Sequence, residues 1–154
     1  MYKRQVVGAA LHDHGVTAVI HIAAKKQVGE SVARPLWYYR QNVTAMATLL
    51  EGCVDAGVGR FLFSSSAATY GMGSGGVIEE DDPARPINPY GESKLIGEWL
   101  LADVARATGL RYAALRYFNV AGAVSPELGD PGVFNLVPMV FLSLIHISEP
   151  TRPY

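Results

Sequence analysis

The sequence predicts an α/β fold, a parallel β-sheet flanked by helices, and three observations predict it. Short β-rich apolar runs recur at residues 16–22, 60–64 and 110–118. The intervals between them carry apolar residues at helical spacing. Each helical stretch closes on a glycine just ahead of the next strand, the order expected of right-handed βαβ units.

The elements follow in order. Val6 to Gly15 reads as the end of a helix closed by a C′ glycine. Val16-Thr17-Ala18-Val19-Ile20-His21-Ile22 is a continuous apolar run, as expected of a parallel strand buried on both faces. A polar, glycine-bearing stretch from Lys25 to Ser31 comes next. From about Pro35 to Ala56, the residues Leu36, Val43, Met46, Ala47, Leu49, Leu50 and Val54 recur at helical spacing, and Gly57 supplies the stop. Arg60 to Ser64 is the second strand. Residues 70–87, rich in glycine and with acidic residues from Glu79 to Asp82, read as an exposed loop. Asn88-Pro89 then starts a helix, with Asn as N-cap and Pro in the first helical position. Leu95, Ile96, Trp99, Leu100 and Val104 stripe that helix, which ends near Gly109. Leu110 to Phe118 is the third strand, and Gly122 to Asn135 a loop rich in glycine and proline.

Composition narrows the function classes. A chain of 154 residues has room for one ordinary domain with its own core. A net charge of −1 gives no basic excess for a nucleic-acid partner. The single cysteine, Cys53, excludes an internal disulfide framework and fits a reducing, cytoplasmic setting. It sits in an apolar helical stretch, where a small core residue is the ordinary reading. The polar start Met1 to Gln5 leads into no apolar signal segment. Phe134 to Ile147 is interrupted by Asn135, Pro138, Ser143 and His146, too short and broken to enter a membrane as a span.

The two ends carry a further pattern. Leu142-Ser143-Leu144-Ile145-His146 can be written as CTG TCT CTT ATA CAC, whose reverse complement, GTG TAT AAG AGA CAG, encodes Met1 to Gln5 when GTG serves as the start. One short DNA element in two orientations would thus encode both termini, and it resembles a transposon-end adaptor used in sequencing libraries. The expectation is that residues 6–141 are native and that 1–5 and 142–154 are translated adaptor. The plain alternative for 142–147 is an ordinary strand.

The chemistry-bearing constellation lies in the middle of the chain. Tyr90 and Lys94, four apart on a predicted helix, present their side chains to one side. A free tyrosine titrates near pH 10, leaving about one in a thousand ionised at neutrality. A neighbouring ammonium favours the phenolate, so the pair can move protons near neutral pH. Alone it is weak evidence, because Tyr and Lys at this spacing occur on many amphipathic helices. Ser64-Ser65-Ser66 adds context: it follows a buried strand, at the carboxyl edge where open α/β sheets bind ligands. A hydroxyl there, above all that of Ser66, can hold a substrate oxygen while Tyr90 takes its proton. The competing reading of the three serines is a polar strand end.

These residues belong to six segments that together are similar to the UDP-glucose 4-epimerase family, within the extended short-chain dehydrogenase/reductase superfamily. They are His21 to Lys26, Val28 to Ser31 with Tyr38-Tyr39 and Asn42-Val43, Phe63 to Gly71, Pro89 to Lys94, Leu115 to Asn119, and Asn135 to Pro138. The resemblance covers essentially all of 6–141 and implies a partial Rossmann-like parallel sheet from the interior of such a protein. It implies that Tyr90 is the catalytic acid/base, that Lys94 lowers its pKa and holds the nicotinamide ribose, and that Ser66 holds the sugar 4-hydroxyl. It implies NAD as cofactor, held by Ile22, Ala23, Ala24, Lys25, Lys26, Asn42, Ser66, Tyr90, Lys94 and Phe118. It implies a UDP-sugar substrate, held by Ser66, Tyr90, Asn119, Asn135 and Leu136, and a homodimeric parent protein. The implied reaction interconverts UDP-glucose and UDP-galactose by transient oxidation at C4. Relatives that dehydrate sugar nucleotides carry an Asp-Glu pair where this chain has Ala67-Ala68, which sets elimination aside.

Other residues have plainer readings. His12, His14 and His21 lack partners at metal-ligand spacing and read as surface or core residues; no metal is expected. Glu79 to Asp82 read as a solvated turn, and Trp37, Tyr38 and Tyr39 as packing residues. Asn42, apart from the resemblance, could be a helix-surface amide. No Gly-x-x-Gly-x-x-Gly turn follows a strand, so the family's diphosphate-binding device and first strands are missing. The expectation is a chain inactive by itself. The competing functions are net NAD(P)-dependent redox on another substrate and a non-catalytic NAD-binding protein.

Overall fold

A computed structural model describes residues 2–73, 75–129, 136, 137, 139, 140 and 143. Two compact units divide the chain, Met1–Tyr117 and Phe118–Tyr154. The first carries a three-stranded parallel sheet in the order β1 (Ala18–His21), β2 (Arg60–Ser66), β3 (Arg111–Tyr117). Its helices are α1 (Tyr2–Asp13), α2 (Val28–Ala33), α3 (Pro35–Tyr39), α4 (Ala45–Asp55) and α5 (Pro89–Thr108). A π-helical turn, Arg40–Thr44, joins α3 to α4, and a 3₁₀ turn, Ala67–Tyr70, follows β2. In the second unit a 3₁₀ turn spans Pro126–Leu128.

The helix ends explain how chain is delivered to strands. After α1 the amide of Gly15 bonds His12 and that of Val16 bonds Leu11; after α4 the amide of Gly57 bonds Val54 and that of Val58 bonds Cys53. Both are Schellman closures, and the left-handed residue each needs is glycine, with φ of 56° at Gly15 and 70° at Gly57. Cys53 and Val58, brought together by the second closure, are both buried. At the other end of the pattern, Asn88 caps α5 by accepting the Gly91 amide at 2.9 Å, with Pro89 next in line.

The core forms on one face of the sheet. Leu11 of α1, Met46, Leu50 and Cys53 of α4, and Leu101 of α5 pack against Phe61 and Phe63 of β2, with Val19 and Ala114 at the margins. Burying a side chain such as the wholly enclosed Leu101 contributes about 2 kcal/mol. α5 lies unusually close to the sheet because it has no side chain at Gly97; a Cβ there would meet the Phe63 ring at 2.7 Å.

Several expectations are corrected here. The β1 run is not buried on both faces: Ile20 is 68% exposed and Leu115, on the same face of β3, is 39% exposed. On α5 it is Leu101 that is enclosed, while Trp99 lies 58% exposed. α1 begins ahead of Val6, part of the stretch read as polar is α2, and the long helix is interrupted by the π turn. Cys53 is a core residue, as expected. Asn135 and nearly all of 142–154 lie outside the described residues. Among the described residues no helix is long and apolar enough to cross a membrane.

Candidate active site

The carboxyl ends of β1 and β2 and the first turn of α5 meet at one edge of the sheet. β1 ends at His21, directly before the Ile22 to Lys26 strip, which is exposed throughout. β2 ends at Ser66, whose hydroxyl accepts the Ala68 amide at 3.2 Å and so caps the 3₁₀ turn. A hydroxyl that accepts in this way keeps its own proton for another acceptor. Tyr90, half-buried, is the second residue of α5. The turn after Ser66 and the start of α5 are in close contact through Gly91, where a Cβ would fall 2.5 Å from the Ala68 carbonyl oxygen.

Lys94 is the electrostatic centre of this edge. It is 4% exposed, donates to the Ser64 carbonyl at 2.7 Å, and its Nζ lies 6.0 Å from the Tyr90 ring centroid and 5.0 Å from that of Phe63. Burial pulls its pKa down to about 8, since the charged form loses water. His21 stacks on Phe63 at 5.9 Å, and burial, aided by the Lys94 charge, lowers its pKa. It is therefore a half-buried packing residue, in keeping with its plain reading.

The strip that would face a cofactor is held from behind. Asn42 accepts the Lys25 amide at 2.9 Å and donates to the Lys25 carbonyl at 3.0 Å. Its second donor reaches Ser93 Oγ at 3.0 Å, and Ser93 in turn donates to the Tyr90 carbonyl at 2.7 Å. Asn42 is thus a buried connector between the strip and the first turn of α5, not a surface amide. It lies in the π turn, which the hydrophobic spacing did not reveal. Lys25 Nζ rests 4.8 Å from the Trp37 centroid, leaving Lys26 as the cation of the strip without that contact. Tyr38, wholly buried, bonds both the Gln27 carbonyl and the Glu30 carboxylate, and burial pushes its pKa up to about 12. Tyr39 donates to Glu92. Both hydroxyls thus tie α3 to neighbouring chain.

Sequence reading missed an ion pair behind the serines. Arg116 of β3 makes bidentate bonds to Glu98 of α5, at 2.7 and 3.2 Å to one carboxylate oxygen and 3.0 Å to the other. Ser65 donates to the same carboxylate, and the Arg116 guanidinium sits 4.6 Å from the Tyr70 ring centroid. The period-2 pattern of β2, with Phe61, Phe63 and Ser65 buried, was the available signal that Ser65 faces α5.

Ser66, Tyr90, Lys94, Asn42 and Ile22 to Lys26 therefore share the first unit. Phe118, Asn119 and Leu136 belong to the second. The residues present fit the nicotinamide half of a dinucleotide: a buried ammonium for ribose hydroxyls, a pinned, exposed strip with an apolar start and a cation, and a phenol beside them.

Comparison with known proteins shows the family. The NAD dependent epimerase/dehydratase family matches residues 1–142. The chain belongs to that family. It is 52% identical over 143 residues to the UDP-glucose 4-epimerase of Lactobacillus helveticus, covering 91% of this chain and 43% of that one. In this epimerase/dehydratase family its fold is similar to UDP-glucose 4-epimerase from Brucella ovis in complex with NAD, with 48% identity, a TM-score of 0.76, and 79% of this chain against 37% of that one. It is also similar to the enzyme from Stenotrophomonas maltophila with bound NAD and formylated UDP-arabinopyranose, at 39% identity and a TM-score of 0.83, with 94% and 44% covered. The chain spans less than half the length of these relatives.

Proposed function

We propose that this segment is the catalytic-turn portion of an enzyme that interconverts UDP-glucose and UDP-galactose with bound NAD. The observation that carries the reading is Lys94, a buried ammonium four residues from Tyr90 and bonded to the strand that ends in Ser66. When bound, NAD supplies a reversible hydride acceptor. The chain's own work is proton control and orientation. Tyr90 takes the proton of the sugar 4-hydroxyl and returns it, with the Lys94 ammonium 6.0 Å from its ring centroid. Ser66 donates a hydrogen bond to the sugar 4-oxygen and orients it. Ile22 to Lys26 line the cofactor, with Asn42 fixing their backbone; Phe118 is a further cofactor-binding residue. Asn119, Asn135 and Leu136 hold the sugar nucleotide. Ala67 and Ala68 offer no carboxyl group for elimination, which favours epimerisation over dehydration.

In this reading residues 6–141 are the native segment, the nucleotides at both ends test the adaptor origin of the flanks, and the full-length protein works as a cytoplasmic homodimer. The test is turnover by a full-length protein carrying this segment. UDP-galactose should give UDP-glucose without net accumulation of reduced cofactor. Stoichiometric consumption of NADH or NADPH with another carbonyl substrate would overturn it in favour of net redox.

A further inference from the structure

Three consecutive serines end β2, and α5 treats each differently. Lys94 binds the Ser64 carbonyl, and Glu98, one turn further along the same helix, takes the Ser65 hydroxyl. Ser66 has its side chain on the opposite side of the strand from Ser65. Glu98 is held in turn by Arg116, with the two side chains only 12% and 23% exposed. The guanidinium, bonded to Glu98 along its edge, also lies 4.6 Å from the ring centroid of Tyr70, the last residue of the turn that Ser66 caps. The segment from Ser65 to Tyr70 is thus gripped at both ends by one ion pair, with Ser66 inside the grip.

We propose that the Glu98–Arg116 pair is a positioning device for the Ser66 hydroxyl, acting through Ser65 before it and the Tyr70 ring after it. This rests on the catalytic reading of Ser66 given above. A bidentate carboxylate–guanidinium pair is stiff and directional, so it adds a side-chain restraint to a strand end that backbone pairing to β3 and the Lys94 bond to Ser64 already hold. It also ties that strand end to α5, the helix that carries Tyr90 and Lys94, so hydroxyl and phenol share one frame. Ser65 and Arg116 are paired across β2 and β3, which is why the pair can reach both.

The test uses a full-length enzyme carrying this segment with NAD bound. Ser65→Ala should lower kcat by about tenfold while KM changes by less than about twofold, because a displaced hydroxyl costs orientation and not binding. In a Ser66→Ala background the same change should cost less than about twofold, since the grip acts only through that hydroxyl. Glu98→Met with Arg116→Met, an apolar replacement of the pair, should keep the thermal midpoint yet reproduce the kcat loss. If that double variant fails to fold, the Ser65 arms decide alone. Unchanged kcat in Ser65→Ala, or losses that add in the Ser66→Ala background, would overturn the positioning role while leaving the epimerase reading intact. Unchanged turnover in Ser66→Ala by itself would overturn the catalytic reading and the positioning role together.

Discussion

The ammonium of Lys94 lies 2.7 Å from the carbonyl oxygen of Ser64. A helix that must stand close to the sheet brings this charge to the end of a strand, and Gly97, one turn later, allows the approach. The contact satisfies part of what the lysine loses on leaving water, but its lowered pKa shows that burial still dominates.

Stability should therefore depend on pH through Lys94. Its pKa falls from 10.5 to about 8 on folding. Below pH 8 the folded and unfolded chains both hold the proton, and stability does not change with this group. Above pH 8 the folded chain releases it while the unfolded chain keeps it, so stability rises, by about 1 kcal/mol between pH 8 and 9. The window closes there, because the buried Cys53 thiol, raised from 9.0 to about 11, costs stability above pH 9, and Tyr38 and Tyr39, both at about 12, do so higher still. Urea unfolding of the NAD-free full-length protein checks this. The gain is expected in the parent and not in Lys94→Met; a gain that survives the substitution contradicts the assignment.

In the proposed reaction Tyr90→Phe removes the proton carrier, and it takes nothing from the core. In the full-length enzyme kcat should fall by about 10²- to 10⁴-fold with a near-constant KM. Steady-state assay with near-UV circular dichroism separates this from misfolding. Retention of more than about a tenth of the parent rate would point to another acid/base group.

Asn42→Ala should act at two distances. It leaves the Lys25 amide and carbonyl and the Ser93 hydroxyl without their buried partner, at a cost of about 2 kcal/mol. NAD affinity should fall as well, since the strip from Ile22 to Lys26 loses its anchor. Chemical denaturation and cofactor titration read the two effects, and normal NAD binding in a destabilised variant would show that the anchor is purely structural.

Gly97→Ala asks whether the approach of α5 matters. Its new methyl would meet Phe63 at 2.7 Å and the Met46 sulfur at 3.0 Å. Overpacking of about 1–3 kcal/mol should exceed the gain of about 1 kcal/mol from better helix propensity. A lower thermal midpoint is expected; a higher one would mean that the helix can retreat without strain.

The 154-residue chain by itself should associate. Ile20 and Leu115 lie exposed on the sheet face opposite the core, at 68% and 39%, and such surfaces favour self-association. Light scattering over a concentration series checks this, with a monomer at all concentrations as the contrary result.

Much of the site was legible because its signals are local. Asn88-Pro89, the glycines at 15 and 57, and Tyr90 four before Lys94 each act through backbone geometry within a turn or two. What was not legible depends on partners distant in sequence. Nothing in the spacing of residues 35–56 announces a π turn, yet it is the turn that buries Asn42 and aims it at Lys25, 17 residues away. Trp99 and Leu101 sit two apart on one helix, and only the packing against β2 decides which is enclosed.

The sequence by itself determined the order of the three strands, the glycine stops at 15, 57 and 109, and the spacing that sets Tyr90 and Lys94 about one turn apart at the start of α5. These follow from torsional preference, capping and side-chain type, which a chain carries wherever it goes. The tertiary structure alone decided that Ser65 faces Glu98, that Glu98 meets Arg116 across 18 residues, and that Ile20 and Leu115 lie exposed on one sheet face among the described residues. Those outcomes depend on which surfaces come into contact, and contact is a property of the folded packing.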